Sequence, residues 1–177
     1  VTGGQTCALP MSFEFGPDWF GAYASLDELL KDEGRRPKDG GLDSDRDFIY
    51  DYVFVCTKSN GSKGAALDLS LHSELLGKKG KIVLFQNGWG NAEIFTEHFP
   101  KDQTYSARVI TGFQRTEKNV VDVTVHADSI HLGSLFGSDL APMAPLAEAI
   151  TEGGIPAEVV EDVGKDLWAK MLYNCAL

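Results

Sequence analysis

Basic charge is scarce in this sequence: 16 Lys and Arg stand against 26 Asp and Glu, for a net charge of −10. That balance excludes nucleic acid and anionic membrane as the main partners. It leaves room for an anionic small molecule, because a few backbone amides and one lysine hold a phosphate on an acidic protein. Long apolar runs are also lacking. No stretch approaches the roughly 18 to 20 apolar residues of a membrane-spanning helix, and the opening VTGGQTCALP has neither the basic start nor the apolar centre of a secretory signal. The expected compartment is the cytoplasm. Cysteine is sparse and scattered: Cys7, Cys56 and Cys175 form no CxxC pair, so free buried thiols are expected rather than a disulfide framework. His72, His98, His126 and His131 stand isolated in the sequence, and no metal site is expected. GxSxG and P-loop motifs are missing too, which leaves serine or cysteine nucleophile schemes without a partner motif.

What is present suffices for one core. The chain has 177 residues, 43% of them hydrophobic, the size of one ordinary domain. It starts at Val1 rather than at a methionine and stops inside an amphipathic helix, as expected of an internal segment.

Residues 12–50 are the least regular part. A short helical stretch is predicted over 25–31, and Gly, Pro and charge make most of 32–48 an exposed loop. From Asp51 the pattern changes. YVFVCTKS reads as a short strand buried on both faces, a helix is predicted over about 63–76, and IVLFQNGWGN repeats the strand-then-polar-turn design with its strand at 82–85. Asn91 is the expected N-cap of the next short helix. Two such strands joined by a helix make a βαβ unit with a parallel sheet. SARVITGF, NVVDVTVHAD and IHLGSLFG read as further strands. A helix is expected over 144–152, a strand within IPAEVVED, and a last helix from about Val163.

In open parallel sheets ligands bind beyond the carboxyl ends of the strands, where loops converge and helix N-termini aim free amides at the crevice. Both CTKS (56–59) and QNGWGN (86–91) fall there. Lys58 is placed to reach a phosphate or ribose, although a lone strand-end lysine is solvated more often than not. Asn87, followed by Gly88, combines a side chain that donates and accepts with a backbone that lets a ligand come close; an ordinary Asn-Gly turn reads the same way. Lys170 and Asn174 share a helical face at i and i+4, beside Trp168, Ala169, Leu172 and Cys175. A lysine in such an apolar wall is a candidate proton donor, against the plainer reading of a snorkelling surface lysine.

Taken together, DYVFVCTKS, IVLFQNGWGN, RVITGFQR, VTVHAD, HLGSLFG and DLWAKMLYNCAL resemble, in order and spacing, the ketopantoate reductase family. The resemblance covers residues 50–177 well and 1–15 loosely, and QNGxG with LWxKxxxNC are its specific parts. It implies an α/β fold: a partial Rossmann-like parallel sheet over 1–162, with 16–48 an irregular insertion, followed at 163–177 by the first helix of an all-α C-terminal domain. It also implies NADPH-dependent reduction of 2-dehydropantoate to (R)-pantoate, in pantothenate and coenzyme A biosynthesis, with a small 2-keto acid as substrate and a homodimer as an allowed assembly. Carried over residue by residue, Lys170 corresponds to the catalytic lysine, Asn174 to a substrate-binding asparagine and Asn87 to an asparagine that meets both cofactor and substrate. Lys58 and Phe113 fall beside the cofactor, Phe113 standing where many relatives have a small residue.

The family's GxGxxG turn has no counterpart in this sequence, nor do the later C-terminal helices. The chain by itself is therefore expected to be inactive, with the strand at 52–56 exposed as an unpaired edge that aggregates or binds a partner. Two rival readings stay open: a non-catalytic NADP(H)-binding sensor, and a reductase of another branched 2-keto acid.

Overall fold

The computed structural model describes residues 11–14, 23–33, 50–117 and 120–176. Its elements run β1 (Met11–Glu14), α1 (Leu26–Glu33), β2 (Tyr52–Val55), α2 (Ser62–Leu71), β3 (Lys81–Leu84), α3 (Asn91–Thr96) and β4 (Thr104–Arg108), then β5 (Thr111–Glu117), β6 (Val120–His126), β7 (Ile130–Gly133), α4 (Ala144–Glu152), β8 (Ala157–Val159) and α5 (Val163–Ala176). Cys7 and most of the irregular stretch expected at 16–48 lie outside the described residues. Within that stretch α1 is helical, close to the helix predicted at 25–31.

The main sheet has the order β2-β3-β4-β7-β8. β2, β3 and β4 run parallel, joined by α2 and α3, as the βαβ reading requires. The apolar run of β3 shows why a strand buried on both faces carries no alternation. Ile82 and Leu84 enter one core with Leu69, Leu75 and Phe95, while Val83 enters the opposite core with Tyr105, Leu132 and Met143. Each fully buried side chain of this size contributes roughly 1.5–3 kcal/mol, so successive residues of one short strand hold α2 and α3 on one side and α4 on the other.

The sheet is not wholly parallel. β4 meets β7 antiparallel, because the chain leaves the sheet through β5 and β6 and returns in the opposite direction without a crossover helix. β7 and β8 are parallel again, across α4. The excursion forms a second sheet, β1-β6-β5, antiparallel throughout. SARVITGF, expected as one strand, is thus two: β4 ends at Arg108 and β5 starts at Thr111. Among the described residues β2 is an edge of the main sheet, and Phe54 on it is 48% exposed.

α5 is seated by a close approach. Ser106 pairs with Gly133, and Arg108 with His131, across β4 and β7, and this face of the two strands receives the helix. A Cβ on Gly133 would stand 2.8 Å from both the Val160 carbonyl oxygen and Val163 Cβ. Glycine is required there for space. Val163 and Leu167 are buried in this contact, whereas Trp168, Leu172 and Tyr173 on the second half of the helix are exposed.

Candidate active site

The ends of β2, β3 and β4 converge on one cleft. Cys56 follows β2, Phe85 and Asn87 follow β3, Val109 follows β4, Thr111 and Phe113 come from β5, and Lys170 comes from α5. Together they line a cavity of about 270 Å³. That is close to the roughly 300 Å³ lower end for small-molecule pockets. It suits a ring and a small acid better than a whole dinucleotide. A second void, of about 10 Å³ behind the Gly88–Gly90 turn, is too small for any organic ligand.

The turn that presents Asn87 is built from polar contacts. Gly88 and Gly90 both have φ near 91°, a region that costs other residues strain and glycine none. Gly90, not Asn91, is the N-cap of α3. The expected cap fails because Asn91 turns inward and is buried: its Oδ1 accepts from Ser62 Oγ at 2.7 Å, and its Nδ2 donates to the Asn87 carbonyl at 3.2 Å. Ser59 Oγ donates to the same carbonyl at 2.8 Å. Gln86 Nε2 donates to the Thr57 carbonyl at 3.0 Å and to Ser62 Oγ at 2.9 Å, tying the β2 turn to the β3 turn.

Against this turn stands Lys170. Its ammonium donates to Asn87 Oδ1 and, at 2.5 Å, to the carbonyl oxygen of Val109. Among the described residues it has no carboxylate partner. Desolvation in the cleft wall, with the Arg108 guanidinium as a second cause, holds its pKa below the ordinary lysine value. Such a group gives up its proton more readily than a solvated lysine.

Of the residues singled out in the sequence, Asn87, Phe113 and Lys170 come together. Phe113 is half exposed, at the point where the β5–β6 register shifts after Gly112. Lys58 and Asn174 do not line the cleft. Lys58 is exposed just before the single helical turn at Ser59–Gly61, beyond the end of β2, and Asn174 is exposed one turn past Lys170 on α5.

Cys56 and Cys175 are exposed rather than buried, and Cys56 lines the cleft because it is the first residue past its strand. His72 and His131 are isolated in sequence but not in space. His72 contacts Asp27 Oδ1 of α1 at 3.1 Å. His131 sits among Arg108, Asp128, Glu158 and Asp166. Among the described residues no group of three or more His, Cys, Asp or Glu is placed to hold a metal ion, and no helix is long and apolar enough to cross a membrane.

The sequence family described as ketopantoate reductase PanE/ApbA matches residues 30–137. The chain belongs to the ketopantoate reductase family. The 2-dehydropantoate 2-reductase of Aquifex aeolicus is 33% identical over 131 residues, 73% of this chain and 41% of that protein. The chain thus spans about two-fifths of that relative's length. Among solved structures, the 2-dehydropantoate 2-reductase of Geobacter metallireducens matches with a TM-score of 0.61 at 21% identity, over 72% of this chain and 41% of that one. D-mandelate dehydrogenase in complex with NADH and anilino(oxo)acetate matches at 0.58 and 19%, over 68% and 38%. At these identities the two solved structures establish the shared α/β fold.

Proposed function

We propose that the protein carrying this chain reduces 2-dehydropantoate to (R)-pantoate with NADPH, a step of pantothenate and coenzyme A biosynthesis. The observation that carries the reading is the contact of Lys170 with Asn87 at the carboxyl ends of the parallel strands. A lysine with no carboxylate partner among the described residues and a turn asparagine meet over a cavity sized for a small acid. Family membership gives that pairing its chemistry.

The residues present fit a nicotinamide at one end of the cleft. Asn87 has its Oδ1 engaged by Lys170, and among the described residues its Nδ2 donates to no protein group; Phe113 offers an aromatic wall. These two would hold the nicotinamide, while Lys58, exposed beyond the end of β2 and outside the cleft lining, is assigned to the cofactor by the family resemblance alone. When bound, NADPH supplies the hydride that reduces the ketone carbon. Lys170 gives its proton to the carbonyl oxygen, so that the ketone becomes an alcohol and the negative charge developing on oxygen meets an ammonium aimed at it in advance. The Val109 carbonyl and Asn87 Oδ1 orient that ammonium. Asn174, exposed one turn past Lys170 and outside the cleft lining, is assigned to the substrate by the family resemblance alone. In this reading residues 1–162 belong to the nucleotide-binding half and 163–177 begin the helical domain, whose remaining helices close the cleft. The protein is placed in the cytoplasm, and a homodimer is its allowed assembly.

The test is NADPH oxidation with ketopantoate by the protein that carries this chain, wild type beside Lys170→Ala. Turnover that disappears with the lysine, while NADPH still binds, supports the reaction and the donor. Equal loss of turnover and cofactor binding would remove Lys170 from the proton-donor role. The fold shared with D-mandelate dehydrogenase makes NADH and an aryl 2-keto acid the comparison pair. NADPH bound without turnover of any 2-keto acid would favour the sensor reading.

A further inference from the structure

A charged cluster lies beneath α5, outside the lining of the cleft. Arg108 is 3% exposed at the end of β4. Its Nη2 donates to Asp128 Oδ2 at 2.9 Å and lies 2.5 and 2.7 Å from the two ring nitrogens of His131, its cross-strand partner on β7. The same imidazole has Nδ1 at 2.6 Å from Asp166 Oδ2 on α5 and Nε2 at 3.1 Å from Glu158 Oε1 on β8. One ring therefore joins β7, β8 and α5, with β4 pressed against its edge.

The placement of Asp166 gives this cluster its consequence. It precedes Lys170 by one helical turn on α5, so the two share a face. Arg108 precedes Val109, whose carbonyl receives the Lys170 ammonium. Both ends of the Lys170 contact are thus one short step from His131. Packing alone fixes α5 through Val163 and Leu167 in its first half. From Trp168 onward the helix exposes large apolar side chains, and the Trp89–Trp168 ring contact and the Lys170 hydrogen bonds are what tie that half to the rest of the fold.

We propose that His131 is a positioning residue: by joining Asp166 to Glu158 against Arg108, it sets the rotation of α5 at which Lys170 reaches Asn87 and Val109. For its effect on turnover this rests on Lys170 being the proton donor. The cluster has an electrostatic side as well. Arg108 Nε and Nη1 are buried without partners among the described residues, so part of the guanidinium's field is not locally answered, and Arg108 is one cause of the lowered pKa of Lys170. Rotating α5 would move Lys170 away from both the cleft wall and that charge.

The experiment follows Lys170 directly, by the NMR titration of its side-chain Cε signal, assigned with Lys170→Arg, in the protein that carries this chain. His131→Ala and Asp166→Asn are each compared with wild type. The expected result is that both variants move the Lys170 titration up toward that of a solvated lysine. Both lower kcat about tenfold, with KM for the cofactor within about twofold, and the double variant is no worse than either single one, as members of one unit behave. A merely stabilising cluster would lower the melting temperature and leave the Lys170 titration and kcat unchanged, which overturns the proposal. Asp166→Asn keeps side-chain volume and the helix, so it carries the test even if His131→Ala fails to fold. If wild type turns over no keto acid, the proposed reaction fails, but the titration still decides whether His131 positions Lys170.

Discussion

The ammonium of Lys170 on α5 and the side-chain carbonyl of Asn87 after β3 are hydrogen-bonded across 83 positions of sequence. The Val109 carbonyl at 2.5 Å accepts a second hydrogen bond from the same ammonium. Oxygen dipoles hold the ammonium in place without neutralising it. A carboxylate in the same position would favour the charged form and make the proton harder to give up.

That arrangement sets a pH dependence. The pKa of Lys170 is lowered by desolvation and by Arg108, and proton donation needs the charged form. Turnover should therefore fall as pH rises through a value below the ordinary lysine range, and Lys170→Ala should abolish that limb together with about 10²- to 10⁴-fold of turnover. For stability the sign is opposite. Between the lowered folded pKa and the ordinary unfolded one, the unfolded chain binds more protons, so the Lys170 contribution becomes more favourable as pH increases. A pH–rate profile of kcat paired with denaturation at several pH values checks both. A basic limb unchanged in Lys170→Ala would contradict the assignment.

Gly133→Ala tests the seat of α5. The new methyl would stand 2.8 Å from the Val160 carbonyl and from Val163 Cβ, groups held in backbone and core. Neither can yield cheaply, and overpacking of this kind costs about 1–3 kcal/mol. The unfolding free energy from chemical denaturation should drop by that amount, through a lower midpoint at an unchanged slope. Turnover should drop as well, since the displaced helix carries Lys170.

Asn91→Ala tests the buried support of the Asn87 turn. The substitution removes the acceptor for Ser62 Oγ and a donor to the Asn87 carbonyl. Leaving buried polar groups unmatched costs roughly 1–3 kcal/mol. Calorimetry should show that loss, and activity should fall about tenfold through misplacement of Asn87. Full activity with lowered stability would mean that Ser59 alone holds the turn.

Much of this was legible in the sequence, and the rest fails for identifiable reasons. The βαβ units and α4, β8 and α5 announce themselves through apolar runs, turn glycines and helical spacing, and the strand-end rule points to Asn87 from the sequence alone. β1 was missed although MSFE alternates in the manner of a strand, because the irregular text around it outweighed four residues. The antiparallel return of β7 could not be read, since strand direction is set by what the chain does between strands rather than by the strands themselves. Arg108 and His131 were passed over for a similar reason: they are cross-strand partners far from Asp166 in sequence, and a cluster assembled across separate elements leaves no spacing signal. Asn91 has the composition of a cap, yet its side chain found a better partner in Ser62.

Self-association is the property most exposed by the structure of this chain. Among the described residues β2 is unpaired on one side, with Phe54 48% exposed on that strand. On α5, Trp168, Leu172 and Tyr173 add a second apolar surface, and Trp89 packs on Trp168 with ring centroids 5.2 Å apart. An open edge invites strand addition, while an apolar helix face invites burial of any geometry. The chain of 177 residues should therefore elute from gel filtration well above its 19.3 kDa mass, increasingly so with concentration. Two variants separate the routes. Phe54→Lys acts on the edge strand and Leu172→Lys with Tyr173→Lys acts on the helix. A helix-driven association should be relieved only by the second, because a lysine at the strand leaves α5 uncovered. A sharp monomeric peak for the unsubstituted chain would mean that neither surface is sticky enough to drive association.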